Sequence, residues 1–254
     1  MINNNKGQTI QAVEISSKIV GFIEEYGAVG PTELSQHLEM PKSTAFIYLK
    51  TLHECGYLTK SNGQYRLALR FLEMGARARR DFDVYNVAKE EINQLADATG
   101  EVANLGVEEE GYRVLLYKSE GGEAVYDDAI VGDHTYLHWV SLGKAMLSRM
   151  SESRIDDVVD RHGLPGATEH TIVDRESLDE ELTRIADRGY ALEDEEHWEN
   201  IRAVAVPIVL ESAVHGAISV SGPKTRFDED RIMEIVDQLH ETKNVIELRL
   251  EHYQ

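Results

Sequence analysis

Residues 30–56 read GPTELSQHLEMPKSTAFIYLKTLHECG. We read two short helices joined by a tight turn, each with a proline, Pro31 or Pro41, in its first turn. The first N–H groups of a helix have no intrahelical partner, so a residue lacking one is tolerated there. Leu34 and Leu38 are an i, i+4 pair on the first helix. Ala45, Leu49 and Leu52 make one stripe on the second, with Tyr48 beside them. At about 100° per residue the opposite face then carries Ser43, Ile47 and Lys50, with Phe46 at its edge. Two such helices fit a helix-turn-helix reader of DNA and, equally, a helical hairpin in a core.

The flanking sequence separates these alternatives. Upstream, residues 11–26 place Ile15, Ile19, Phe22 and Ile23 on one helical face, and Gly27 ends the run. Downstream of Gly56 the period changes from helical to alternating. Residues 57–60 and 64–67 flank Ser61-Asn62-Gly63, and Asn-Gly between alternating runs signals a tight hairpin. Helix, helix-turn-helix and hairpin in that order predict a winged helix-turn-helix DNA-binding domain over residues 1–68, with Lys60, Gln64 and Arg66 on the wing. Residues 69–84 predict a linker helix, kinked near 81–83, bearing Leu72, Met74 and the cluster Arg77, Arg79 and Arg80. Residues 85–254 alternate strands and helices. A hairpin is expected around Glu110-Gly111, irregular strands through Val125 and residues 135–137, and a helix from Ser141. Further helices are expected at 153–161 and 176–188, strands at 190–194, 202–209 and 216–221, and a final helix capped by Asp228. The result is an α+β domain, not a parallel βαβ repeat.

Charge supports the division. The chain of 254 residues carries 26 Lys and Arg against 46 Asp and Glu, a formal net charge of −20. Residues 1–80 hold 10 basic and 7 acidic residues, which leaves 16 basic and 39 acidic residues for the remainder. Phosphate contacts dominate affinity for nucleic acid, so an acidic chain is a poor binder unless the binding module is separately neutral or basic. Mean hydropathy is −0.38, and no stretch approaches the ~20 apolar residues of a membrane span. Residues 1–7 are polar, without the apolar centre of a signal peptide. One cysteine, Cys55, excludes an internal disulfide. We expect a cytoplasmic protein.

Enzymatic signatures are missing: no Gly-x-Ser-x-Gly elbow, no phosphate-binding glycine loop and no His-Glu-x-x-His. Ser141 near His138 lacks a third residue to orient the pair. His134 and His138 lie in a segment read as extended, where their spacing is too long for one ion. No catalytic residue, metal or cofactor is expected. The remaining alternative is a dimerising sensor or adaptor that does not bind DNA.

The order and spacing of several motifs resemble the IclR family of transcription regulators over nearly the whole chain. They are LEMPKST at 38–44, GYL at 56–58, residues 65–75, Leu137-His138, SLGKAML at 141–147, residues 189–196, IRAVAVP at 201–207 and AISVSGP at 217–223. The resemblance implies a double-stranded DNA operator, a homodimer or dimer of dimers, and a GAF-like effector-binding domain for a small organic, sugar or aromatic acid. It implies effector contacts from Ser141, Leu142, Glu193, Ile201, Ala203, Ser219 and Ser221. A helix start at Ser141 suits an anion, whereas Glu193 repels one unless it faces outward or is protonated. Leu142 and Ala203 depart from the Gly-Ala pair and the cysteine of some members, which argues against a glyoxylate- or pyruvate-type ligand. For DNA the expected contacts are Thr32, Pro41, Lys42, Ser43, Thr44, Phe46, Ile47, Lys50, Lys60 and Gln64. Relatives often carry arginine at the position of Ile47, so an apolar side chain here is expected to pack on thymine methyl groups, with Ser43 and Thr44 on phosphate or a base edge.

The acidic excess, with only 10 lysines, fits a halophilic source, where a charged surface stays hydrated in strong salt, with an ordinary acidic protein as the alternative. Unfolding midpoints should rise with molar salt; full stability at low salt with no gain from added salt would contradict this.

Overall fold

The computed structural model describes residues 9–125 and 129–253. The polar start, residues 1–7, and positions 126–128 of the stretch read as irregular strands lie outside the described residues. The chain forms two compact units, Met1–Ala78 and Arg79–Gln254.

In the first unit, α1 (Gln11–Tyr26), α2 (Pro31–His37) and α3 (Lys42–Glu54) precede a hairpin of β1 (Leu58–Ser61) and β2 (Gln64–Leu67). Pro31 opens α2, and Glu33 reaches back to accept from the Gly30 N–H at 2.9 Å. Pro41 departs from the reading: it is the N-cap of α3, in extended geometry, and the helix begins at Lys42. Leu38 likewise caps α2 and is only half-buried. The turn between the helices uses Glu39 at φ 48° and is closed by Ser35 Oγ donating to Met40 O at 2.6 Å. Ala45, Leu49 and Leu52 pack with Ile19, Ile23, Leu34 and Tyr65 in one core. Asn62 and Gly63 both have positive φ, as the tightest hairpin turn requires. Val29 bridges to Tyr65 through paired backbone bonds of 2.9 and 2.8 Å, a single-residue bridge that ties the segment before α2 to the wing. The following helix, α4 (Arg70–Arg80), buries none of its residues.

The second unit is an antiparallel six-stranded sheet. Helix α5 (Asp83–Thr99) begins after the break at 81–82, then β3 (Val102–Glu109) and β4 (Tyr112–Glu120) form the expected hairpin. After β5 (His134–Tyr136) come α6 (Ser141–Leu147), α7 (Glu152–His162), α8 (Arg175–Arg188), β6 (Ala191–Asp194), β7 (Ile201–Leu210), β8 (Ala213–Pro223) and α9 (Glu229–Tyr253). Leu137, read as the end of a strand, instead starts a 3-10 turn over Leu137–Trp139, so the segment holding His134 and His138 is not extended throughout. Asp228 accepts from the Arg231 N–H at 2.9 Å at the start of α9, as its position suggests.

Strand order is β5-β4-β3-β8-β7-β6. Its two faces differ in side-chain size. Leu105, Val107, Val204, Val206, Ile208, Ile218 and Val220 pack under α5 and α9. On the other face, Ala205 and Ala217 receive Leu142, Ala145 and Met146 of α6. Small side chains there let α6 lie close and leave space beside it. Among the described residues no helix is long and apolar enough to cross a membrane.

Gly143 sets the seating of α6. A Cβ at this position would lie 2.1 Å from Leu137 O and 2.5 Å from Leu137 Cα. Gly143→Ala should therefore lower stability by about 1–3 kcal/mol or more in chemical denaturation, the range for overpacking a rigid site.

Candidate functional site

The first candidate surface is the exposed face of α3 with the wing. Lys42, Ser43, Phe46, Ile47 and Lys50 are exposed, Ile47 at 61%, whereas Thr44 is half-buried. Thr32 is exposed in the first turn of α2, and Pro41 is exposed at the α3 cap. Lys50 is paired with Glu54 at 3.5 Å, both exposed, which partly neutralises it. On the wing, Lys60 Nζ lies 6.0 Å from the Phe46 ring centre and 5.1 Å from that of Tyr65. A cation over ring faces is held there electrostatically, so the wing lysine sits beside the α3 surface. Gln64 lies along Gly30, its side-chain amide 3.5–3.6 Å from where a Cβ would be. The surface thus joins hydroxyls and three lysines, one of them paired with Glu54, to an apolar centre. Of the arginine cluster, Arg77 pairs with Glu73 at 2.6 Å, and Arg79 lies over the Tyr85 ring at 4.4 Å.

The second site is a cavity of about 380 Å³ on the small-residue face of the sheet, the size of a small-molecule pocket. All seven positions expected for an effector line it: Ser141, Leu142, Glu193, Ile201, Ala203, Ser219 and Ser221. Strand register explains the convergence. Glu193 pairs with Ala203, Ala203 with Ser221, and Ser221 with Val102, so β6, β7, β8 and β3 contribute one row across the sheet. Ser219 and Ser221 share a face, and Asn104 from β3 donates to Ser221 Oγ at 3.1 Å and reaches Ser219 Oγ at 3.5 Å.

Glu193 does not face outward. It is buried, and its carboxylate accepts from the Ser141 N–H at 3.2 Å. The anion position expected at the start of α6 is therefore occupied, at its first N–H, by the protein's own carboxylate. Burial pushes the Glu193 pKa up to about 7, against the Ser141 N–H, Lys144 and Arg113, with Glu196 adding repulsion. Lys144 is fully buried and donates to Leu192 O at 2.7 Å and to Glu196 Oε2 at 2.6 Å. It ties α6 to the segment after β6 that carries His197 and Trp198. His197, stacked on Trp139 at 5.4 Å, is held neutral, its pKa lowered to about 4 by burial and then by Arg113.

Arg113 is the residue that sequence reasoning missed. It lines the cavity from β4 and is buried. Its Nη2 donates to Thr135 Oγ1 at 2.6 Å, while Nε and Nη1 have no acceptor. The available signal was an arginine two positions before Leu115 in an alternating strand, but parity alone does not say which face is inward. Ser141 Oγ is also buried without a partner, and His138 Nε2 donates to Pro165 O at 3.0 Å rather than meeting Ser141. Among the described residues no group of three or more His, Cys, Asp or Glu could hold a metal ion.

Comparison with known proteins matches both units. The family model described as the IclR helix-turn-helix domain covers residues 12–61, and that described as bacterial transcriptional regulator IclR C-terminal covers residues 76–248. The chain is 31% identical over 255 residues to the probable HTH-type transcriptional regulator ArcR of Halobacterium salinarum, covering 98% of this chain and 97% of that one. The crystal structure of the Thermotoga maritima IclR superposes with a TM-score of 0.77 at 27% identity, covering 94% of this chain and 97% of the other. An IclR homologue of Microbacterium hydrocarbonoxydans, solved with 4-hydroxybenzoate, shares the fold at a TM-score of 0.81 and 22% identity, covering 95% and 100%.

The folded pKa of Glu193 lies above its ordinary value of 4.5, so the folded state keeps the proton longer than the unfolded chain. Stability is unpenalised below about pH 4.5 and falls as pH rises toward about 7. Glu193→Gln should remove that slope and gain on the order of 3 kcal/mol relative to wild type at pH 8, measured by urea denaturation across pH.

Proposed function

We propose, from the premise that this chain belongs to the IclR family of transcriptional regulators, that α3 and the wing read a double-stranded operator while the cavity holds a small organic acid. The chain is a DNA-binding regulator whose C-terminal domain binds a small-molecule effector. The observation that carries the finer reading is the convergence of Ser141, Leu142, Glu193, Ile201, Ala203, Ser219 and Ser221 on one cavity. Its polar row of Asn104, Ser219 and Ser221 suits hydroxyl or keto oxygens, which favours a small organic acid, then a sugar acid, then an aromatic acid. It acts as a regulator and not as an enzyme, in the cytoplasm, where its operator lies.

On DNA, Ser43 contacts backbone or a base edge, Ile47 packs on thymine methyl groups, and Lys42 and Lys60 meet phosphate. Thr32, Pro41, Phe46 and Gln64 border that surface. Thr44, half-buried, and Lys50, paired with Glu54, contribute less than their positions in the sequence suggest. A reading head resting on apolar contact releases few counterions, so its affinity depends less on salt. Two copies bind together: Leu69, just before α4, and Leu72, in its first turn, stand 84% and 71% exposed, and apolar surface of this kind marks an association site.

Mobility shift with the duplex upstream of the protein's own gene tests this. Wild type should shift it, Ile47→Ala should weaken binding by about 1–3 kcal/mol and relax base preference, and Leu72→Asp should lower both the dimer fraction and the affinity. No shift of any duplex, at low or high salt, would favour the adaptor alternative.

A further inference from the structure

We propose that Arg113 is the residue of the cavity that binds the effector's acid group, that only one such group is admitted, and that its binding is coupled to a proton. This rests on the reading of the cavity as the effector site. Arg113 stands opposite Glu108 on β3 and Thr135 on β5. Gly106 makes room for it: a Cβ there would lie 3.2 Å from Arg113 Cδ and 3.1 Å from Leu142 Cδ1. Arg113 is 6% exposed, and the one hydrogen bond of its guanidinium goes to a neutral hydroxyl. Glu193 and Asp133 act on it, but only beyond ion-pair distance.

Arginine does not shed its proton, so a buried guanidinium without an anion is costly. Nε and Nη1 lack acceptors, and a carboxylate supplies them in charge-assisted form. Ser141 Oγ, a second buried group without a partner on the same cavity, is placed to donate to or accept from the same ligand. Asp133 limits the ligand to one negative charge: it lines the cavity as well, and a second carboxylate would be set against it.

Binding is then coupled to a proton. The groups facing Glu193 are Arg113 from β4, Lys144 from α6 and Glu196 from the segment after β6. Lys144 is engaged by Glu196, and His197 is neutral, so neither offsets a new anion. A carboxylate on Arg113 removes one of the charges that favour ionised Glu193 and drives that residue to its protonated form. Protonated, Glu193 becomes a donor to the bound ligand. Its pKa of about 7 puts this coupling near neutrality.

The test uses the full chain with acetate, lactate and benzoate as probes, each beside its neutral amide, read by thermal shift at constant ionic strength. At least one acid should stabilise wild type while its amide does not. Arg113→Gln should abolish the shift, and Glu193→Gln should retain it. Wild-type affinity should fall about tenfold from pH 6 to pH 8, and the Glu193→Gln profile should be flat. If Arg113→Gln does not fold, the acid–amide contrast and the flattened profile still decide. Equal stabilisation by amides, retained binding in Arg113→Gln, or no effect of any acid at tens of millimolar would overturn the proposal. Operator binding by the same preparation reports separately on the regulator reading.

Discussion

Gly143 lies so close to Leu137 that a Cβ would stand 2.1 Å from the carbonyl oxygen, and the arrangement of the C-terminal unit depends on this contact. It lets α6 settle on Ala205 and Ala217, which puts Ser141 and Leu142 at the cavity and sends Lys144 beneath it. A larger residue at 143 would lift the helix and open the wall. Large aliphatics on the opposite face of the sheet carry the hydrophobic stabilisation, freeing the α6 face to hold small and polar side chains.

Those polar side chains bring a second constraint, since four charged groups, Arg113, Lys144, Glu193 and Glu196, are buried in or beside the cavity. Lys144 is satisfied by Glu196 and Leu192 O. Glu193 has the Ser141 N–H and is pushed toward neutrality by burial. Arg113 has only Thr135. Lys144, Glu196 and Glu193 are thus settled within the protein, and Arg113 stays short of acceptors. An imbalance of this kind in a packed unit is where a ligand gains most from electrostatics. The reading head is built on another basis, with Ile47 exposed at its centre and Lys60 held over Phe46 and Tyr65.

Most of the fold was legible because local chemistry specified it. Asn62-Gly63, Gly27, Gly189 and Asp228 all act where their residue types predict, and the stripe Ala45, Leu49 and Leu52 is the buried one. Pro41 was misplaced by one position, since proline fits both an N-cap and a first turn. Leu137 reads as the end of a strand yet begins a 3-10 turn, because aromatic and β-favouring residues leave short segments ambiguous. The cavity positions were legible through family resemblance. Arg113 was not: its role depends on a strand's inward parity and on Gly106, 7 residues earlier in the chain, leaving space for its stem.

Fluorescence anisotropy of labelled operator, during titration of a carboxylate that stabilises the protein, measures whether occupancy of the cavity changes affinity for DNA. By linkage, ligand and DNA must alter each other's affinity by the same factor. The account predicts a change in operator affinity with a midpoint matching the acid's own dissociation constant. Saturation of the cavity with operator affinity unchanged would contradict it.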